Sequence, residues 1–271
     1  MGNSEIGKYI DVNGIKTNYH DYGTGNAVLL LHGSGPGVSA WANWRFNILD
    51  IGKENRVIAP DIVGFGFTQH LKNIQYSIDF WIKHIISFLD ILEIERVSII
   101  GNSFGGALAL AIAIRYPKKV DKLILMGSVG LKFKITEGLD KVWGYTPSID
   151  NMRELLDLFA YDRTLVTDEL AKLRYNASIR EGIQESFSSM FPSPRQRWID
   201  LMSQPQKKIS LLENQTLIIH GREDKIIPKE NSIKLSNLIH NAELHIFGRC
   251  GHWTQIEHKD AFNRLVTNFL I

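Results

Sequence analysis

The stretch Gly101-Asn102-Ser103-Phe104-Gly105 constrains this chain more than any other. A short apolar, β-branched run, Val97-Ser98-Ile99-Ile100, leads into it, and a long apolar run from Ala107 to Ile114 follows. A strand that turns this sharply into a helix puts the residue at the bend under backbone strain. Glycines on either side of the serine let the two elements cross closely, and the helix N-terminus points partial positive charge at the bend. Such a nucleophile elbow would lift the Ser103 oxygen above the edge of the sheet. The five-residue pattern alone occurs by chance; the strand before it and the helix after it separate it from an ordinary Gly-rich loop.

The rest of the chain supplies the sheet that an elbow requires. Asn13-Gly14 reads as a hairpin turn between strands over Tyr9–Val12 and Ile15–His20. Val28-Leu29-Leu30-Leu31, Arg56-Val57-Ile58-Ala59 and Lys122-Leu123-Ile124-Leu125-Met126 are continuous apolar runs, as expected of strands buried on both faces. Helical stretches such as Ile78 to Leu92 lie between them. This alternation predicts an α/β fold with a mostly parallel central sheet and helices on both faces.

From Leu131 to Leu212 the strand-like runs vanish. Ser148 is placed to cap a helix running to Ala160, and Thr167 to cap another with Leu170, Leu173 and Ala177 on one face. Pro192 and Pro194 precede a third, Arg195 to Met202. Strands then resume at Thr216–Ile219 and Ala242–Phe247, with helices over Lys229–Ile239 and from Lys259. The organisation expected is a core domain of residues 1–130 and 213–271, interrupted by a helical lid at residues 131–212.

Charge and cysteine content remove several function classes. With 31 basic and 29 acidic residues and no basic cluster, the chain lacks the footprint of a nucleic-acid binder. One cysteine permits no intrachain disulfide and fits a reducing compartment. The first residues lack the basic and apolar regions of a secretory signal, Ile6 stands where a myristoylation signal needs Ser or Thr, and no apolar run reaches membrane-spanning length. A cytoplasmic protein with no membrane partner is the expectation.

A serine hydroxyl is a poor nucleophile until a base takes its proton. Of nine histidines, His252 is best placed, in the loop Gly248-Arg249-Cys250-Gly251-His252-Trp253 between the last strand and the last helix. His220 ends a strand and reads as structural; His20, His240 and His245 read as strand or surface residues. The acid that orients the base is assigned to Asp224, with Glu223 as its rival; Ser103, Asp224, His252 is the chain order of α/β-hydrolase triads. Asp61 precedes the serine and reads as turn chemistry leading into Gly64-Phe65-Gly66. Two backbone N–H groups should form the oxyanion hole, those of Phe104 and of Ser34 in the loop His32-Gly33-Ser34-Gly35-Pro36-Gly37. That loop lacks the glycine spacing of a phosphate cradle, Cys250 lies on no elbow, and no metal-ligand spacing occurs.

Taken together, the loop from His32 to Gly37, Asn43, Gly101-Asn102-Ser103-Phe104-Gly105-Gly106, Gly221-Arg222-Glu223-Asp224 and Gly251-His252-Trp253 resemble the meta-cleavage-product hydrolases. These α/β-hydrolases cut carbon–carbon bonds in ring-fission products of catechols. The resemblance runs through the lid, in Val142-Trp143-Gly144-Tyr145-Thr146-Pro147 and Phe187-Ser188-Ser189-Met190-Phe191-Pro192. There it is nearest the branch acting on 2-hydroxymuconic semialdehyde and alkylbenzene-derived products, rather than the biphenyl branch.

The resemblance implies a 2-hydroxy-6-oxo-hexa-2,4-dienoate substrate with an anionic head and an apolar acyl tail. It implies no cofactor and no metal, because the substrate carries its own electron sink, and it implies a homo-oligomer. It gives Arg174 the carboxylate head, a role suited to a planar bidentate cation. Asn43 and Asn102 would hydrogen-bond the head and the 2-oxygen, Gly33 would touch substrate, and Trp253 would wall the head pocket. Leu139, Trp143, Ile199 and Ile226 would line the tail pocket; with Trp143 and Ile226 facing the tail, hydrogen, methyl or short alkyl groups fit better than phenyl. The competing readings are a serine carboxylesterase, which has no need of the polar set, and a non-enzymatic receptor on the same fold. Dehalogenases and epoxide hydrolases of this fold carry Asp where Ser103 stands.

Overall fold

The computed structural model describes residues 2–71 and 73–271. Eight strands form one sheet: β1 (Lys8–Val12), β2 (Ile15–Tyr22), β3 (Asn26–Leu31), β4 (Asn55–Pro60), β5 (Val97–Asn102), β6 (Val120–Met126), β7 (Thr216–Gly221) and β8 (Ala242–Phe247). Their spatial order is β1-β2-β4-β3-β5-β6-β7-β8. β2 runs antiparallel to both β1 and β4, and β3 to β8 are mutually parallel. The chain goes from β3 to β4 on one side and then to β5 on the other. Order therefore reverses at β3, and the carboxyl ends of β3 and β5 open the crevice where parallel sheets build sites.

Before the sheet's midpoint the helices are α1 (Ala40–Trp44), α2 (Ile48–Ile51), α3 (Ile78–Ile91) and α4 (Phe104–Arg115). Between β6 and β7 come α5 (Glu137–Trp143), α6 (Ile149–Phe159), α7 (Asp168–Ser178), α8 (Ile183–Met190), α9 (Gln196–Met202) and α10 (Gln206–Ile209). The chain finishes with α11 (Lys229–Leu238), α12 (Thr254–Glu257) and α13 (Lys259–Leu270). The sheet is apolar on both faces because both are covered. Leu29 and Leu31 of β3 pack with α3 and α4, while Val28 and Leu30 pack with α1, α2 and α13. Each such fully buried Leu or Ile contributes about 1.5–3 kcal/mol of apolar transfer.

Ser148 and Thr167 accept hydrogen bonds from Asn151 N–H and Leu170 N–H, capping α6 and α7 where the sequence predicts. The expected apolar face of α7 is different. Leu173 is 55 % exposed, and Ala171, Ala177 and Ser178 are buried. Arg174 points inward instead, so the helix presents a cation where a packing helix would present a leucine. The short helices α1, α2, α5, α8, α10 and α12 carry too few turns for periodicity to reveal them. Gln204 N–H donates to Gly130 O (2.9 Å), bringing the exit and return of the helical excursion together, and α10 then packs on α4 and α11. No helix among the described residues is long and apolar enough to cross a membrane.

Candidate active site

Ser103 sits between β5 and α4 at φ 54° and ψ −111°, a conformation that side chains rarely adopt. Its N–H donates to Met126 O at 2.8 Å and its carbonyl accepts from Val129 N–H at 3.2 Å, so neighbouring β6 holds the strained bend. A Cβ on Gly101 would meet Gly106 Cα at 2.6 Å, and one on Gly105 would meet His32 O at 2.6 Å. Strand, helix and the loop after β3 therefore cross where only glycine fits. Phe104 N–H opens the first turn of α4, where helix N–H groups have no intrahelical acceptor.

His252 lies in the loop after β8, and its backbone N–H donates to Phe159 O at 2.7 Å. Its Nδ1 is 2.7 Å from Asp224 Oδ2, just past β7. Asp224 is buried and accepts from several groups: Oδ2 also faces His220 Nε2 at 3.2 Å, and Oδ1 accepts from Ile226 N–H (2.7 Å) and Ile227 N–H (3.0 Å). Burial pushes the Asp224 carboxyl up, but the charge on His252 and hydrogen bonds from His220 and His252 outweigh it and hold the group well below the usual carboxylate range. An ionised Asp224 keeps hydrogen on His252 Nδ1 and leaves Nε2 free to accept a proton. Gly127, at φ +48°, follows β6 beside this pair; a Cβ there would come within 3.2 Å of the His252 ring.

Glu223 turns away, accepting from Cys250 N–H (2.9 Å) and Arg222 Nε (2.9 Å). Asp61 accepts from Ala40 N–H, Phe67 N–H and Asn18 Nδ2 and ties α1 to the turn after β4; burial outweighs those bonds and pushes its carboxyl up to about 6. Burial, reinforced by Glu257 and Asp224, drives the Cys250 thiol far up, so it is no thiolate. His220 is tied to Ser232 Oγ (2.6 Å) and Ile227 O (3.0 Å) and braces Asp224 from behind. No group of metal-ligating side chains occurs among the described residues.

A cavity of about 250 Å³ runs from Ser103 and His252 into the helical excursion. Gly33, Ser34, Asn43, Asn102, Arg174, Trp253, Leu139 and Ile226 line it. Gly33 abuts Asn102 and Ser103, and its N–H faces Asn43 Oδ1 at 3.5 Å. Asn102 Nδ2 reaches Met126 O at 3.5 Å. Arg174 donates from one terminal nitrogen to Glu5 Oε1 at 3.2 Å. Two buried donors on this lining, Asn43 Nδ2 and Arg174 Nε, have no acceptor within the protein. With Asn43, Asn102 and Arg174 on the lining, this end of the cavity is polar and cationic.

Two residues expected at the tail pocket stand elsewhere. Trp143 and Ile199 are buried but absent from the lining. Trp143 stacks on Phe191 (4.4 Å between centroids) and donates from Nε1 to Ser34 Oγ at 2.9 Å, which places it behind the loop after β3. The apolar wall is made instead by Val142, Met152, Leu156, Leu165 and Leu170 beside Leu139 and Ile226. Phe159 stacks on Trp253 (5.1 Å) and His252 (5.9 Å). These residues belong to helices whose facing is set by tertiary packing, and no motif marks them. Glu5, Arg45 and Phe159 likewise carry no sequence signal.

His32 gives the loop its own pH dependence. Its Nδ1–H donates to Gly33 O (2.7 Å) and its Nε2 accepts from Ile62 N–H (2.9 Å), so a second proton would face a donor. Burial lowers this imidazole to about 4, and lowers His84 to about 4 as well. The unfolded chain binds these protons near pH 6.5 and the folded chain does not. The contribution of these two histidines is therefore complete above about pH 6.5 and falls as pH drops toward about 4, by on the order of 3 kcal/mol for His32 alone; the raised Asp61 carboxyl opposes it below about pH 6 but is one group against two. Urea unfolding at about pH 5 should show a lower midpoint than at about pH 7; equal midpoints would show that the ring charges in place.

The model of the alpha/beta hydrolase fold family matches residues 26–259. A 2-hydroxy-6-oxo-2,4-heptadienoate hydrolase of Pseudomonas putida is 56% identical over 268 residues, covering 99% of this chain and 97% of that protein. A 2-hydroxymuconate semialdehyde hydrolase of Pseudomonas sp. strain CF600 is 56% identical over 266 residues, covering 98% and 94%. The solved structure of a variant meta-cleavage product hydrolase from Pseudomonas fluorescens IP01, complexed with acetates, superposes with a TM-score of 0.98 at 62% identity, covering 99% of this chain and 98% of that one.

Proposed function

Because the chain belongs to the alpha/beta hydrolase fold family, and within it to the meta-cleavage-product hydrolases, we propose that it hydrolyses the C5–C6 bond of 2-hydroxy-6-oxo-hexa-2,4-dienoates. The products are 2-hydroxypenta-2,4-dienoate and a carboxylic acid. The substrates are 2-hydroxymuconic semialdehyde or analogues with a short alkyl group at C6. The observation that carries this reading is the cationic, amide-bearing end made by Arg174, Asn43 and Asn102 in the same cavity as Ser103 and His252. A simple ester needs no such cationic end; a dienoate needs a site for its carboxylate and 2-oxygen.

The chemistry follows from what each group can do. Arg174 and Asn43 hold the carboxylate, and Asn102 the 2-oxygen. The dienol loses its 2-hydroxyl proton and gains one at C5, with His252 as carrier. The resulting 2-ketone conjugates with the C3–C4 double bond and forms an electron sink. His252 then takes the Ser103 proton as Ser103 Oγ attacks C6, and the Ser34 and Phe104 N–H groups stabilise the oxyanion. The C5–C6 electron pair flows through C4–C3 to the 2-oxygen and expels the dienolate, which is reprotonated. Water, deprotonated by His252, releases the acid from Ser103. Asp224 fixes the His252 tautomer throughout. The chain itself needs no cofactor for these steps.

We read residues 131–212 as a lid over the cavity, and the protein as a cytoplasmic homo-oligomer in aromatic hydrocarbon catabolism. The apolar wall made by Leu139, Val142, Leu156 and Ile226 sets the tail. Turnover of dienoates with hydrogen, methyl, isopropyl or phenyl at C6, followed by loss of their yellow colour, tests this. The small tails should exceed phenyl by at least about tenfold in kcat/KM. Phenyl turned over as fast as methyl would sink the short-tail assignment. No bleaching of any member, with p-nitrophenyl esters hydrolysed, would replace the reading with a carboxylesterase.

A further inference from the structure

Arg174 lines the cavity and is itself paired. Its side chain is 12% exposed and pairs with the 14% exposed carboxylate of Glu5, from the segment before β1. Glu5 is not on the cavity lining; it sits behind the guanidinium. Its Oε1 takes the Arg174 terminal nitrogen at 3.2 Å, and its Oε2 accepts from Ser39 Oγ at 2.5 Å. Ser39 in turn caps α1, accepting from Ala42 N–H at 3.1 Å. The Glu5 backbone is anchored as well: its carbonyl accepts from Asn18 Nδ2 at 3.1 Å and its N–H donates to Asn3 Oδ1 at 3.0 Å. The carboxylate is thus held by the core and holds one edge of the guanidinium, leaving the buried Nε without a protein acceptor.

Charge points the same way. Two guanidinium groups, Arg45 and Arg174, line the cavity, and Arg45 is fixed by donating to Ala42 O at 2.5 Å. Glu5 offsets one of these two charges. The lining keeps cationic character with Glu5 in place, which suits an anionic head. Without Glu5, Arg174 would be a long, rotamer-rich side chain carrying an unpaired buried charge.

We propose that Glu5 is the positioning residue of the head pocket: it holds Arg174 in its carboxylate-binding rotamer. This rests on the reading that Arg174 receives the substrate carboxylate. Glu5 touches no reacting atom, so its effect belongs in KM rather than kcat.

The test is steady-state kinetics of Glu5→Ala and Glu5→Gln on 2-hydroxy-6-oxohepta-2,4-dienoate and on p-nitrophenyl acetate, which has no carboxylate head. Glu5→Ala should raise the dienoate KM about tenfold with kcat within about twofold, a loss of about 1.4 kcal/mol of binding. Glu5→Gln keeps an acceptor for Arg174 and sheds the charge that repels the head, so its dienoate KM should lie at or below that of the unsubstituted protein. The ester KM should stay within about twofold in both, since nothing there needs Arg174. If Glu5→Ala does not accumulate folded, Glu5→Asp, which withdraws the carboxylate by one methylene, should show the KM rise instead. A dienoate KM unchanged on loss or withdrawal of the carboxylate, a Gln variant as impaired as the Ala variant, or an ester KM moving in step would each overturn the proposal. An unsubstituted protein that leaves the dienoate yellow would refute the proposed function itself.

Discussion

Ser103→Ala should lose carbon–carbon cleavage by at least about 10⁴-fold in kcat, as removal of a triad nucleophile does elsewhere, yet should still convert the dienol to its ketone. The two halves separate because they need different groups. Cleavage requires the Ser103 oxygen at C6. On the proposed mechanism ketonisation requires a base and the head pocket, and the bonds that place both do not involve Ser103: His252 Nδ1 pairs with Asp224, and Arg174 with Glu5. Rapid mixing of the variant with substrate should show the dienol band give way to that of the ketone, with no dienoate product following. A variant that leaves the dienol band untouched would make Ser103, rather than His252, part of the proton transfer.

Asp224→Asn should cost about as much, on the order of 10⁴-fold in kcat, but in both half-reactions. Both Asp224 oxygens are occupied: Oδ1 by the Ile226 and Ile227 N–H groups, Oδ2 by His252 Nδ1 and His220 Nε2. An asparagine must put its NH₂ toward one of these sets. Facing the histidines, it donates to His252 Nδ1 and moves the hydrogen to Nε2, the nitrogen that must accept. Facing the backbone, it meets two donors. That clash disfavours the second orientation; the first removes the base, so the rapid-mixing trace should show neither ketone nor product. An asparagine variant that ketonises at the unsubstituted rate would show that His252 is not the carrier of that proton.

The contrast between the two variants also marks which parts of the site were legible in the sequence. Elbow, triad order and the strands around them are local or ordered patterns: a turn that only glycines permit, apolar runs on a sheet covered on both faces, polar residues just past strand ends. Those signals survive without knowledge of the packing. Arg174 is different. Neighbouring Leu173 is exposed while Arg174 faces in, so a hydrophobic-face reading of α7 points the wrong residue at the core. Local patterning fails there because the helix lines the polar end of a cavity, the kind of place where such failures concentrate. Resemblance to a family supplied Arg174; periodicity did not.

The tail pocket was less legible still. Trp143 has the size and position in the helical excursion of a pocket wall, but its indole N–H needs an acceptor when buried, and Ser34 Oγ supplies one behind the loop. With that bond made and the ring stacked on Phe191, Trp143 is not on the lining, and neighbouring Val142 is. Glu5 lies far along the chain from Arg174, and no spacing rule links them. Contacts of this kind are set by how α7 docks on the core, which a single sequence does not state.

Product stoichiometry on 2-hydroxy-6-oxohepta-2,4-dienoate tests the central claim most directly. One water and one substrate should give one acetate and one 2-hydroxypenta-2,4-dienoate, in step with the loss of yellow colour. Colour that persists while p-nitrophenyl acetate is hydrolysed, or colour that fades without release of acetate, would contradict carbon–carbon hydrolysis at this site.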